Sequence, residues 1–195
     1  MLGWYIMKLT DLDIRKALVD KLVRENKTKE YRILEELVIC DGKARADIAI
    51  ANGLFKGYEI KSDVDTLDRL DNQIKMYDET FDKCIIVVGK KFQDKIEIHV
   101  PEHWGIMCAY ENKFGNVSLK NIRAASFNKE ITYTGLTDLL WNNELRLLMR
   151  DNKVRGYSNK TKPELVEMVE ANIDFTNLKK YTRETLKHRK DWRAV

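Results

Sequence analysis

The sequence predicts an α/β fold in which helices flank a mixed central sheet, followed by a helical C-terminal extension. Two turn pairs, Asp41-Gly42 and Asn52-Gly53, separate three β-prone runs; such pairs are strong hairpin signals because both residues tolerate positive φ. A helical pattern precedes these runs, and a helix followed by an apolar strand comes after them. With 195 residues, the chain suits one compact domain with a small appendage.

The first predicted element is a helix over residues 11–25. Thr10 and Asp11 are residue types that often begin helices. Apolar residues then recur at the four-residue spacing of one helix face; they are Ile14, Leu18 and Leu22. The polar stretch at 25–29 ends the helix.

Three antiparallel strands follow, and the first turn determines how the first two pair. If Asp41-Gly42 is a two-residue turn, Glu36 lies directly opposite Asp47. Two carboxylates then share one face of the sheet. Like charges on neighbouring strands destabilise a sheet unless something neutralises them.

The second turn leaves two registers open. A two-residue turn at Asn52-Gly53 sets Asp47 opposite Tyr58, whereas a three-residue loop with a left-handed glycine sets Asp47 opposite Glu59. We predict the second register. Glu59 and Lys61 are two apart on a strand and point the same way, so this register brings them to the carboxylates of the first hairpin.

A second helix is predicted over residues 66–80. Its apolar residues recur on one face; they are Leu67, Leu70, Ile74 and Phe81. The run at 84–88 is an apolar strand closed by Gly89, so the helix crosses over between strands.

Further strands are predicted after this crossover. Residues 95–100 alternate apolar and polar side chains, as in a strand, and Pro101 ends the run. Residues 104–110 and 116–123 are candidates for one or two more strands.

From about Thr137 the pattern becomes helical, and we divide the chain into a domain of residues 1–132 and a basic helical region of residues 133–195. Thr161 and Glu164 form a capping box at the start of one helix. A last helix is predicted from near residue 178 to residue 192.

The C-terminal part is basic. Residues 150–195 hold 12 Lys or Arg against 7 Asp or Glu, which favours a polyanionic partner. A predicted helix at 140–149, the loop at 151–160 and the capped helix together resemble the SAP and HeH type of DNA-binding module. Its basic side chains would attract phosphate to the helix start; they are Lys153, Arg155, Lys160 and Lys162. The alternatives are that the basic face only meets solvent and that the helices only pack on the sheet.

Composition excludes several classes of protein. No apolar run approaches the roughly 20 residues that cross a bilayer, and the first residues do not resemble a secretion signal. We therefore expect a cytoplasmic protein without a membrane partner. The cysteines are scattered without metal-ligand spacing and are expected to be reduced thiols rather than a zinc site; they are Cys40, Cys84 and Cys108.

The predicted registers bring Glu36, Asp47 and Glu59 together beside Lys61. Carboxylate oxygens suit Mg²⁺ or Mn²⁺ rather than zinc or copper. Such an ion activates water and stabilises a phosphate transition state, and the ammonium group of Lys61 would assist. An isolated Glu-x-Lys on a strand is more often a solvated charge pair, which is the alternative.

Two motifs carry a resemblance to a known superfamily. Asp47 with Glu59-Ile60-Lys61 resembles the D…ExK signature of the PD-(D/E)XK nucleases, and Gln73 with Tyr77 resembles the QxxxY motif of their RecB-like branch. The stretch 57–73 is also similar to a small nuclease-like family common in bacteria and phages.

The resemblance implies a restriction-endonuclease-like core and assigns roles to its residues. It implies metal ligation by Asp47 and Glu59 and a catalytic role for Lys61, while Gln73 and Tyr77 would orient substrate or metal ligands. Glu36 would be the additional acidic ligand of some members; Asp13 or Glu25 on the first helix are the alternatives.

The second helix adds a candidate for nucleic-acid contact. Arg69, Gln73 and Tyr77 fall at four-residue spacing and therefore form one polar row. An arginine, an amide and a phenol in such a row can grip a phosphate or a base edge. The alternative is a row that faces solvent.

The leading hypothesis is a Mg²⁺- or Mn²⁺-dependent nuclease acting on DNA, with RNA not excluded and a homodimer left open. The alternative is a nuclease-like adaptor, related to phage or defence functions, that binds nucleic acid or protein without cleaving on its own.

Overall fold

The structure, a computed structural model, describes residues 8–190. Helices flank a six-stranded mixed sheet whose strands lie in the order β1 to β6. The strands are β1 (Arg32–Ile39), β2 (Ala44–Ala51), β3 (Phe55–Lys61), β4 (Lys83–Val88), β5 (Gly105–Glu111) and β6 (Val117–Arg123). The α/β class predicted from the sequence is confirmed.

One face of the sheet is covered by α1 (Asp11–Glu25), which has the predicted bounds. Thr10 caps it: the Thr10 side chain accepts from the main-chain N of Asp13, and the Asp13 carboxylate accepts from Thr10 in return. The predicted apolar face is buried against the sheet, because helix residues four apart share a side; its members are Ile14, Leu18 and Leu22.

The other face is covered by α2 (Leu70–Asp78), which crosses over from β3 to the parallel strand β4. The first three strands are antiparallel, β3, β4 and β5 are parallel, and β6 turns back against β5. Leu70, Tyr77 and Phe81 are buried beneath this helix. Gly57 on β3 lets the Phe81 ring lie directly on the strand, where a Cβ would clash.

Four helices follow the sheet: α3 (Tyr133–Thr137), α4 (Asn142–Asp151), α5 (Lys162–Asn172) and α6 (Phe175–His188). They share an apolar cluster of their own, while Leu139 and Leu186 join the core of the sheet. The predicted capping box at the start of α5 is present.

Basic residues of α6 are paired within the fold. Lys179 Nζ lies 2.6 Å from the buried carboxylate of Asp82, and Arg183 lies 3.6 Å from it. Just after α6, the buried guanidinium of Arg189 pairs with Glu144 at 2.5 Å. These contacts tie α6 to the body, which favours the packing interpretation of this helix over a free polyanion-binding face.

The strand predicted at residues 95–100 is wrong. Ile96–His99 forms a short 3-10 helix instead. Ile96 is fully buried but Ile98 is 86% exposed, because β5 occupies the place beside β4. Strands at 105–111 and 117–123 confirm the two candidates that follow. Within residues 8–190, no helix combines the length and apolar character that spanning a bilayer requires.

Candidate active site

The candidate site lies at the edge of the sheet where β3 ends and β2 begins. Ile48 pairs with Tyr58 and Ala49 with Gly57, which is the register of a three-residue loop, and Gly53 in that loop has a φ of 102°. The predicted register is confirmed. A two-residue turn would have shifted every partner by one position.

Asp47 and Glu59 approach each other on the side of the sheet that α2 covers. Asp47 Oδ2 accepts a hydrogen bond of 2.7 Å from the main-chain N of Ile60, so the carboxylate spans to β3. The Tyr77 hydroxyl donates to Glu59 Oε2 at 2.7 Å and accepts from the main-chain N of Asp47 at 3.3 Å. One phenol thus links both acidic residues.

Glu59 is the centre of a buried polar network. Its side chain is only 2% exposed, and Oε1 accepts from Lys61 Nζ at 2.8 Å and from Gln73 Nε2 at 2.5 Å. Lys61 also donates to Gln73 Oε1 at 2.8 Å. Gln73 and Tyr77 are four apart on α2 and therefore reach the strand together. The structure brings together Glu59, Lys61, Gln73 and Tyr77 as the sequence predicts.

Burial and neighbouring charge shape the acid–base properties of this network. Loss of solvent, and next the charge of Glu59, raise the pKa of Asp47 to about 7. Burial, with the Glu59 charge second, also raises the pKa of Tyr77. The phenol therefore stays protonated at neutral pH and remains a hydrogen-bond donor to Glu59.

Glu36 does not join the other two carboxylates. The register of β1 with β2 is the one that a two-residue turn predicts, but Glu36 itself has a φ of 53° and is left out of the ladder opposite Asp47. Register alone would place the Glu36 side chain on the same face of the sheet as Asp47. The left-handed backbone turns it away from that face. The carboxylate, 43% exposed, pairs with Arg15 at 2.7 Å and Arg45 at 2.6 Å. Its expected placement as a third ligand is thereby corrected.

Arg15 on α1 is a site residue that sequence reasoning missed. Its Nη1 donates to the main-chain O of Asp47 at 2.7 Å, and its Nη2 lies 3.3 Å from Asp47 Oδ1. It also pairs with Asp11 at 3.0 Å, one helical turn earlier. The spacing of Asp11 and Arg15 was the available signal, but it did not point to a strand.

Arg69 does not continue the row of Gln73 and Tyr77. The structure begins α2 at Leu70 rather than at residue 66, and Arg69 takes the position before the helix. Its side chain is exposed, near the start of the helix that carries Gln73.

The four basic residues around α5 divide into two pairs. Lys153 and Arg155 are exposed in the loop between α4 and α5. Lys160 pairs with Glu164 at 2.8 Å, and Lys162 Nζ donates to the main-chain O of Asp138 at 3.3 Å. The loop pair is therefore the more available to a phosphate.

Asp47 and Glu59 are the two carboxylates that could hold a divalent cation between them. Within residues 8–190, no three acidic, histidine or cysteine side chains converge as a metal-binding group, so the expected three-carboxylate cage is not formed. Mg²⁺ needs few protein ligands, because it keeps several waters and binds through one or two carboxylates together with substrate phosphates. A buried carboxylate, Glu59, and a half-buried one, Asp47, that repel each other fit such an ion.

The fold and the site define a class of α/β protein. At one edge of its mixed sheet, a carboxylate, a lysine, an amide and a phenol form one hydrogen-bonded network. A model of the family described as Bacteriophage P4 protein cII matches residues 7–193, and the chain belongs to this family. It is 28% identical to Protein cII of Enterobacteria phage P4 over 184 residues, which cover 93% of this chain and 68% of that protein. The predicted relation to phage proteins is confirmed. No solved structure matches the chain.

Proposed function

We propose that this protein is a metal-dependent nuclease of the PD-(D/E)XK type that hydrolyses phosphodiester bonds of DNA. The observation that supports it is the single network of Asp47, Glu59, Lys61, Gln73 and Tyr77 across two strands and a helix. The element order α1-β1-β2-β3-α2-β4, with β4 parallel to β3, agrees with the restriction-endonuclease-like core that the proposal includes.

Asp47 and Glu59 would hold Mg²⁺ or Mn²⁺. When bound, such an ion supplies Lewis-acid activation of water and neutralises phosphate charge. Both carboxylates are already oriented: Ile60 N fixes Asp47, and Tyr77 with Gln73 fixes Glu59. Donors held in place in this way do not have to reorganise during the reaction.

Lys61 would stabilise the negative charge that develops on the phosphate. Its side chain is 8% exposed, and the ammonium group donates to Glu59 and Gln73. A lysine has three donors, so one N–H remains for a water or a phosphate oxygen. Gln73 holds Lys61 through its Oε1 and Glu59 through its Nε2, which keeps the ammonium group beside the carboxylate.

The nucleic acid would be held by exposed basic side chains outside the network. Arg69 stands just before α2, one helical turn ahead of Gln73, and Lys153 with Arg155 would add contacts from the loop before α5. Phosphate contacts of this kind position a duplex without reading its sequence. Lys160 and Lys162 would add weaker contacts at the start of α5, because each already donates to a partner within the fold.

The experiment is cleavage of supercoiled plasmid, linear single-stranded DNA and RNA, each with Mn²⁺, Mg²⁺ or EDTA. We expect metal-dependent cleavage of DNA that Asp47→Asn and Lys61→Met both reduce by at least about a hundredfold. Lys56→Met is the matched control, because Lys56 is a half-buried lysine on the same strand outside the network. Full activity in both site variants would falsify the proposal.

One observation favours the adaptor as a second candidate. The Glu59 carboxylate already accepts from three protein donors, and Arg15 and Lys61 already balance the acidic pair. A network neutralised in this way can be stable without a metal ion. DNA binding that survives EDTA, together with no cleavage of any of the three substrates, would support the adaptor over the nuclease.

A further inference from the structure

Arg15 connects the acidic residues of the site through every nitrogen of its guanidinium group. Nη1 donates to the main-chain O of Asp47, Nη2 contacts Asp47 Oδ1 and Glu36 Oε1, and Nε contacts Asp11. The Arg15 side chain is only 13% exposed. A surface arginine rarely has all three nitrogens engaged at once, because holding the side chain in one geometry costs entropy.

The first consequence is that the Asp47 carboxylate cannot rotate freely. Arg15 contacts Oδ1 from α1, and the main-chain N of Ile60 donates to Oδ2 from β3. The additional bond from Arg15 to the Asp47 carbonyl fixes the backbone of the same residue. A bidentate arginine imposes this geometry better than a lysine, whose ammonium group is a point charge.

The second consequence concerns Glu36, whose position in the β1–β2 register lies directly opposite Asp47. Instead, its backbone is left-handed and its carboxylate pairs with Arg15 at 2.7 Å. Left-handed backbone is unfavourable for a residue with a Cβ, so the surrounding contacts must maintain it. Arg15 and Arg45 are the side chains that pair with its carboxylate in this conformation.

We infer that Arg15 is a positioning residue that limits the site to one divalent cation by holding Glu36 against its own positive charge and away from the ion. This inference rests on the proposed function. The guanidinium group contacts both Glu36 and Asp47. It therefore supplies a fixed positive charge between these two carboxylates.

The experiment is titration of the full chain with Mn²⁺ by calorimetry. We expect one ion per wild-type chain and at least tenfold weaker binding in Asp47→Asn and in Glu59→Gln. In Glu36→Gln the dissociation constant should stay within about twofold of wild type, because Glu36 is not a ligand. Arg45→Gln removes the other partner of Glu36 and is the matched control, also expected within twofold.

The decisive variant is Arg15→Gln. Loss of the positive charge beside Asp47 and release of Glu36 should allow a second Mn²⁺ per chain and tighten Mn²⁺ binding by about tenfold, given the size of charge interactions at this range. In that background Glu36→Gln should reverse the gain. Arg15→Lys keeps the positive charge but loses the several N–H donors of the guanidinium group. Its affinity for Mn²⁺ should lie between those of wild type and Arg15→Gln. It provides the test if Arg15→Gln fails to fold, as judged by circular dichroism.

Two results would overturn this inference and leave the proposed function in place. One is that Glu36→Gln weakens Mn²⁺ binding as much as Asp47→Asn does. The other is an affinity that neither Arg15 variant changes. Absence of any Mn²⁺ binding that depends on Asp47 and Glu59 would instead remove the proposed function, and this inference with it.

Discussion

The hydroxyl group of Tyr77 is the only side-chain group among the described residues that contacts both Asp47 and Glu59. Tyr77→Phe removes it and leaves Glu59 Oε2 buried without its donor. We expect the free energy of unfolding to fall by about 1–3 kcal/mol and metal-dependent cleavage to fall at the same time, measured by urea denaturation and by plasmid assay.

Tyr133→Phe is the matched control for this prediction. The Tyr133 hydroxyl donates to the main-chain O of Ile173 at 3.0 Å, within the C-terminal helices. We expect a loss of about 1 kcal/mol in stability with cleavage unchanged. Equal effects of the two substitutions on cleavage would contradict the assignment of Tyr77 to the site.

The raised pKa of Asp47 predicts how stability depends on pH in the absence of metal. Ionised Asp47 is disfavoured in the folded state, because its folded pKa of about 7 lies above the ordinary value of 3.8. Stability is therefore reduced above about pH 7 and recovers as the pH falls through 7 towards 4. The difference in unfolding free energy between wild type and Asp47→Asn, measured in EDTA from pH 8 to pH 5, should grow in favour of wild type as the pH falls. If the difference in unfolding free energy does not vary with pH, the pKa of Asp47 is not raised in the folded state.

At the residue scale, sequence spacing predicts the part of the site that follows regular periods. Glu59 and Lys61 are two apart on a strand, and Gln73 and Tyr77 are four apart on a helix, so each pair points one way. The positions of Arg15 and Glu36 cannot be predicted from spacing. Arg15 lies on a helix but contacts a residue of a strand, and Glu36 departs from the two-residue strand period because its backbone is left-handed.

At the scale of elements, the contact between β3 and the segment after α2 depends on the absence of a side chain at Gly57. A Cβ at this position would overlap the Phe81 ring. Gly57→Ala is expected to cost about 1–3 kcal/mol in unfolding free energy, measured by urea denaturation. Gly57→Ala combined with Phe81→Leu should recover part of the loss; additive losses would contradict this account.

Element bounds follow from the sequence where a local signal marks them. The capping pairs at Thr10 and Thr161 begin α1 and α5 where predicted. The alternation at residues 95–100 misleads, because a strand also needs a neighbour to pair with. In the fold, β5 pairs with β4 and leaves Ile96–His99 to form a 3-10 turn.

At the scale of the whole molecule, α6 joins the C-terminal helices to the sheet through Asp82. This buried carboxylate accepts from the main-chain N of Phe55 at 2.8 Å and pairs with Lys179 at 2.6 Å. Asp82→Ala leaves these donors unpaired. We expect a loss of about 3 kcal/mol in unfolding free energy, at the low end for such pairs because Lys179 is 27% exposed.

Glu170→Ala on the exposed face of α5 is the control for Asp82→Ala, and its effect should stay within about 0.5 kcal/mol. If both substitutions lower the unfolding free energy by the same amount, Asp82 does not hold the C-terminal helices against the sheet. The sequence indicates a basic helix here, but charge composition alone does not distinguish ion pairs within a fold from contacts with a polyanion.

In the proposed site, Asp47 and Glu59 together hold one divalent cation. Anomalous diffraction from crystals soaked in Mn²⁺ tests it most directly. We expect one strong peak within bonding distance of a carboxylate oxygen of each residue, with Glu36 still paired to Arg15. Crystals that show Mn²⁺ bound elsewhere, or no Mn²⁺ while Asp47 and Glu59 keep their present partners, would contradict the account.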